Sequence, residues 1–330
     1  MGVVVAVTGA SGHVGVNLVV KLLESGFKVR ALVHKSMLGL DGIGCEIARI
    51  DVLDKKSLVD ALKGVDIVIH TAATITVTKS KGEYVKKVNV EGTKNLLEAI
   101  RKTHVEKLIY FSSIHAFDYK NYDVITESTG LIEGSNYPDY DKSKAEATKI
   151  VRNFQRGHDF DVNIVYPTAI IGPADWRPSF IGRFLISLYK GHFPALVKGG
   201  FDWVDVRDVV EYTVKLVERD YNGQEFIFSG EFLSVKELAQ LWGDVSNIKV
   251  PRFCFPITFA EIGGFFNEFW HSVFNGKELI FTRESLKALK WKNRIDNSKT
   301  KEILGYKHTP IRKTIEDLFK WFKDKGFLNG

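Results

Sequence analysis

The tightest constraint on this chain lies near its start. Gly9, Gly12 and Gly15 recur at intervals of three within Thr8–Gly15. They follow the β-branched run Val3–Val7 and precede Val14–Leu23, whose apolar residues are spaced at three and four. A strand, a turn lacking Cβ atoms and a helix let a backbone come close to a pyrophosphate. The helix then aims its free amides and positive dipole end at the phosphates. Glycines alone would be a weak signal, but this strand–turn–helix context is much stronger. Thr8, Gly9, Ser11, Gly12, His13, Val14 and Gly15 are the expected contacts.

The glycine turn opens a longer alternation. Strand-like runs at Lys28–Val33, Cys45–Ile50, Ile67–His70, Lys107–Phe111 and Val162–Tyr166 are interleaved with helical patterns at Lys55–Leu62, Val85–Ile100 and Tyr140–Phe154. Such alternation predicts an α/β fold, a doubly wound parallel sheet of the Rossmann kind. After Pro167 the pattern becomes irregular. Helices are expected at Val206–Glu218, Val235–Trp242 and Ile311–Lys325, and a strand at Phe226–Phe228 that returns to the sheet. The expected organisation is a dinucleotide-binding domain over 1–172, with 201–229 rejoining it. A smaller, discontinuous C-terminal substrate domain is expected over 173–200 and 230–330.

Composition excludes several other classes. The chain has 330 residues, 45% hydrophobic and 26% charged, which suits a globular protein with a large core. Cys45 and Cys254 are far apart and have no neighbours at metal-ligand spacing, so no metal site is expected. The start carries no Lys or Arg before its apolar run, and it reads as neither a signal peptide nor a membrane span. Phe253–Phe274 is apolar but interrupted by Pro256, Gly263, Gly264 and charged residues, and is read as a buried or substrate-lining helix. A cytoplasmic protein is expected. Residues 277–325 hold 14 Lys/Arg against 7 Asp/Glu, which is more than the whole net charge of +6. This excess suits a solvated basic surface or an anionic small ligand. No nucleic-acid-binding module is recognisable.

The second strand runs into His34-Lys35-Ser36, where an NAD-selective protein would carry an acid. His34 and Lys35 would attract a 2′-phosphate, so NADP(H) is expected over NAD(H). Asp51 could accept from the adenine amino group, although it could equally cap a helix, a role Asp54 fits better. The small residues in Thr71-Ala72-Ala73 would let a cofactor lie over the sheet edge.

Tyr140 and Lys144, four apart on a helix, share a face. Lowering a phenol from about 10 to about 7 requires ~4 kcal/mol, and a lysine at ~4 Å in a partly buried site can supply it. Ser113, after the fifth strand, could donate to the same substrate oxygen. His115 is near the site with no assigned role. Trp203, Phe253, Phe255, Phe265, Phe266 and Trp270 suggest an apolar or aromatic substrate, though most are accounted for by core packing.

Thr8–Gly15, Asp51-Val52, His70–Ala73, Asn89–Thr93, Ser112-Ser113, Tyr140–Lys144 and Pro167–Pro173 occur in the order seen in extended short-chain dehydrogenases/reductases. The chain resembles the NAD-dependent epimerase/dehydratase family, in the branch of dihydroflavonol 4-reductases and 3β-hydroxysteroid dehydrogenases. The segment Gly199–Asp208 strengthens that branch. The resemblance implies Tyr140 as general acid–base, Lys144 as its electrostatic partner and ribose contact, and Ser113 as oxygen donor. It further implies a cofactor contact from Val52 and a supporting or cofactor contact from Asn89, which could equally be a buried helix residue hydrogen-bonded to backbone, and a nicotinamide-facing backbone at Pro167, Thr168 and Ile170. In the family, subunits often pair through the helices at 85–100 and 140–154, so a homodimer is an expectation. The function so implied is carbonyl/secondary-alcohol oxidoreduction with NADP(H). The alternatives are a sugar-nucleotide epimerase or dehydratase that keeps NAD tightly bound, and a non-catalytic NADP(H)-binding protein.

Overall fold

The computed structural model describes residues 2–75, 82–157, 160–256 and 293–329. Its centre is a seven-stranded sheet. In spatial order the strands are β3 (Glu46–Arg49), β2 (Lys28–Val33), β1 (Val4–Thr8), β4 (Ile67–His70), β5 (Lys107–Phe111), β7 (Asp161–Pro167) and β11 (Glu225–Phe228), and every adjacent pair is parallel. Strand order reverses between β1 and β4, where a doubly wound sheet opens a crevice at its carboxyl edge. Glu225–Phe228 does return to the sheet, against β7.

Alternation along the strands sends side chains into two cores. On one face Ala6, Leu32, Val68, Leu108 and Tyr110 pack beneath α2 (Lys55–Ala61), α4 (Gly92–Ile100) and α5 (Asp139–Arg156). On the other Val5, Val7, Ala31, Ile69 and Ile109 meet α1 (His13–Glu24) and α7 (Val206–Glu218). All four residues of β4 are buried, as expected of a strand covered on both faces.

The helix expected over 85–100 is not continuous. A short α3 (Gly82–Lys86) runs into a π turn at Lys87–Glu91 and then into α4. The π turn holds the Asn89 side chain inward, where it is buried.

A third core joins α6 (Phe180–Tyr189), α8 (Val235–Ser246) and α10 (Ile311–Asp324) through Leu185, Leu238, Trp242, Ile315 and Phe322. Beside it lies a small sheet of β8 (Ala169–Ile171), β10 (Gly200–Asp205) and β12 (Glu231–Ser234). Phe265, Phe266, Trp270 and most of Phe253–Phe274 lie outside the described residues. Within them, no helix is long and apolar enough to cross a membrane.

Candidate functional site

The glycine turn sits where β1 meets α1, at the reversal of strand order. Gly9 has φ +67°, and a Cβ there would meet Ala72 at 2.9 Å. A Cβ on Gly15 would lie 2.2 Å from the Gly9 carbonyl oxygen. Gly12 begins α1 with no side-chain cap, and the first turn carries no acid. The first amides of α1 therefore have no side-chain acceptor and face no opposing charge, which fits a diphosphate. The ends of β1 and β4 are locked together: the Thr71 hydroxyl donates to the Thr8 carbonyl (2.7 Å), and the Ala72 amide donates to Thr8 Oγ1 (3.2 Å). Ser11 and Val14 lie in the same turn. The His13 ring instead reaches Pro173 O at 3.0 Å, tying the turn to the loop after β8.

The far corner is formed by the ends of β2 and β3. His34 and Lys35 are exposed there, and His34 Nε2 is 3.6 Å from Asp51 Oδ2. Asp51 also accepts from the Leu53 amide, and Asp54 caps α2 as expected. Arg49 was not singled out from sequence. Register pairs it with Val33, so it stands beside Lys35, whose carbonyl its guanidinium reaches at 3.5 Å. The available signal was its place at the end of the neighbouring strand. Val52 lies under α4, where its carbonyl accepts from Asn95 and its side chain leaves no room for a Cβ on Gly92.

Asn89 holds the centre. It exchanges two bonds with the Thr74 backbone, which follows Ala73, and donates to Ser143 Oγ on α5 at 3.0 Å. All three bonds are within the protein, so Asn89 braces the β4 end against the helix bearing Tyr140. Pro167 ends β7, Thr168 donates from its amide to the Phe228 carbonyl at 3.0 Å, and Ile170 pairs with Val204.

Ser113 and Tyr140 come together, close enough for the serine hydroxyl to favour the phenolate. Ser113 caps the short turn Ile114–Ala116 by accepting from the His115 amide at 3.2 Å. Lys144, one turn along α5 from Tyr140, is buried. Its ammonium donates to the Phe111 carbonyl at 2.6 Å and lies over the Tyr110 ring. The electrostatics correct the expectation of a depressed phenol. Burial pushes Tyr140 up to about 12, the nearby Ser113 hydroxyl only partly opposes this, and Asp141 adds to the rise. Burial also pushes Lys144 down to about 7, so the lysine is only partly charged at neutrality. Desolvation of both groups outweighs their mutual attraction.

Sequence reading also missed a buried polar chain beneath the site. Thr8 Oγ1 lies 2.8 Å from His70 Nδ1, and His70 Nε2 lies 3.5 Å from Thr93 Oγ1. Burial drives His70 down to about 3, so it is a neutral imidazole joining the β1 end to α4. An apolar-looking strand ending in His was the only sequence signal.

This fold and crevice define a dinucleotide-binding α/β enzyme class. The model of the NAD dependent epimerase/dehydratase family matches residues 5–228, and the chain belongs to that family, as an enzyme of the extended short-chain dehydrogenase/reductase type. Sterol demethylase protein B of Methylococcus capsulatus is 31% identical over 326 residues, spanning 98% of this chain and 99% of that one. A protein named putative dihydroflavonol 4-reductase, from Synechocystis, is 26% identical over 346 residues, spanning 98% and 95%. The crystal structure of gox2253 superposes with a TM-score of 0.83 at 31% identity, covering 99% of both chains.

Proposed function

We propose that this protein is an NADP(H)-dependent oxidoreductase that interconverts a carbonyl and a secondary alcohol on an apolar, sterol-like molecule. The observation that carries the reading is the juxtaposition of Ser113 and Tyr140 at the carboxyl edge of β5, with buried Lys144 one turn further along α5. The name of one relative that matches along nearly its whole length, sterol demethylase protein B, supports the sterol-like class. When bound, the dinucleotide supplies or accepts hydride at its nicotinamide ring. Ser113 and Tyr140 orient the substrate oxygen. As a neutral phenol, Tyr140 can donate its proton to a carbonyl oxygen as negative charge develops there, which is the proton transfer that carbonyl reduction requires. Lys144 stabilises the phenolate left behind whenever it is charged. The uncapped start of α1 takes the diphosphate, and His34, Lys35 and Arg49 take the 2′-phosphate. Substrate would lie against the described residues of 173–200, 230–256 and 293–329, with the described residues of 1–172 and 201–229 forming the nucleotide-binding part.

The test is NADPH oxidation with cholestanone, cyclohexanone and acetophenone as ketones. Net consumption of NADPH, fastest with the sterol ketone, is expected. Purified protein carrying tightly held NAD⁺, with no net consumption on any ketone, would instead establish the epimerase or dehydratase alternative.

A further inference from the structure

Two side chains outside the proposed proton-transfer set lie immediately beside it. His115 is two residues after Ser113, and Asp141 is one residue after Tyr140. Ser113 and Tyr140 belong to different elements, the turn after β5 and the start of α5. His115 Nδ1 and Asp141 Oδ2 are 3.8 Å apart, with side chains only 19% and 7% exposed. The same carboxylate oxygen accepts from the Tyr119 hydroxyl at 2.8 Å, and the Tyr119 ring stands edge-on to the imidazole. Tyr119 is itself fixed, because its ring packs edge-on against Tyr137 and its carbonyl accepts from Asn293 at 2.8 Å. The charged and titratable groups facing Asp141 are thus His115, Tyr119, Lys120 and Tyr140.

A buried carboxylate beside a phenol that must lose a proton is costly by itself, since it opposes the phenolate. Its placement makes sense as half of a brace. The geometry points to His115 and Asp141 as positioning residues that clamp the Ser113 turn to the first turn of α5, holding the Ser113 and Tyr140 hydroxyls in register on the substrate oxygen. This rests on the proton-transfer role proposed for Tyr140. Tyr119 anchors the clamp through its bond to Asp141 and its packing on Tyr137. The backbone bond from His115 to Ser113 Oγ leaves the serine O–H free to point at Tyr140 or at substrate. A register error of about 1 Å in such a constellation costs on the order of a hundredfold in rate.

The experiment compares His115→Gln, Asp141→Asn, their double variant and Tyr140→Phe. Asp141→Asn keeps an acceptor for Tyr119 and guards against misfolding, which melting temperature checks. His115→Gln and Asp141→Asn should each lower kcat about tenfold while KM and NADPH affinity stay within about twofold, and the double variant should lose no more than either, because one coupled pair is being broken. Hydrogen exchange supplies a readout independent of substrate. The amides of 113–117 should exchange faster in all three brace variants and be unchanged elsewhere. Undiminished kcat, losses that multiply in the double variant, or unaltered exchange at 113–117 would overturn the brace. Full turnover by Tyr140→Phe would overturn the proton-transfer reading instead, and the exchange comparison would still decide the brace.

Discussion

Lys144 shows at the scale of a single residue how burial outweighs pairing. Its folded value lies near 7 against 10.5 for the free side chain, because desolvation disfavours the ammonium. Between those values the unfolded chain holds a proton that the folded chain does not, so stability should rise with pH from about 7 to about 10.5. Lys144→Met should therefore be more stable than wild type at pH 7 in nucleotide-free buffer, by roughly 2–4 kcal/mol, with the gap closing towards pH 10. Urea titrations across that range check it, and a gap that widens with pH would refute the assignment. The cofactor corner yields a second residue-scale prediction. Arg49→Ala and Lys35→Ala should each weaken NADPH binding about tenfold and NADH binding little, since only the former carries the 2′-phosphate. Fluorescence titration with both nucleotides measures this, and equal losses for the two would remove these residues from the phosphate site.

Individual elements show what was legible in the sequence. Val14–Leu23, Lys28–Val33, Ile67–His70, Lys107–Phe111 and Val206–Glu218 were readable because period and burial coincide there, and the structure places elements at or within a residue of those bounds. The glycine turn was legible for the same local reason. Gly15→Ala tests it, because the added Cβ would press on the Gly9 carbonyl and Ala10. A loss of about 1–3 kcal/mol in stability is expected, with nucleotide affinity falling further than stability alone explains. Unchanged NADPH binding in that variant would detach the turn from the phosphate role. The π turn at Lys87–Glu91 was not legible, and the bonds from its Asn89 run to Thr74 and Ser143, residues distant in sequence. Nor were α6 and the small sheet of β8, β10 and β12. Their strands are short, and they are held by packing with partners up to about a hundred and fifty residues away, as between α6 and α10 in the third core.

Over the whole molecule, the two sheet cores and the third core must be joined if a cofactor and a substrate are to meet. One buried carboxylate does much of this. Asp205 caps α7 through the Arg207 amide at 2.7 Å, takes the Arg207 guanidinium at 2.6 Å, and accepts from Thr314 on α10 at 2.7 Å. Arg207 then reaches Asp317 on the same helix. Residues 199–208 were recognisable as a motif, but their purpose as a clasp for the C-terminal helix required the fold. Asp205→Asn should cost about 2–3 kcal/mol, less than a fully buried pair because Arg207 is partly exposed. Thermal unfolding should show that loss with NADPH affinity retained, and an unchanged melting temperature would dismiss the clasp. The site was legible as a set of positions, while its electrostatics were not, because desolvation of Tyr140 and Lys144 depends on everything packed around them. The central claim is that the Tyr140 hydroxyl carries the proton. It is tested most directly by single-turnover reduction of the best ketone with NADPH saturating, in wild type and in Tyr140→Phe. A rate lowered by about two to four orders of magnitude, with NADPH affinity unchanged, is the predicted result. A variant that reduces the ketone at the wild-type rate would contradict it.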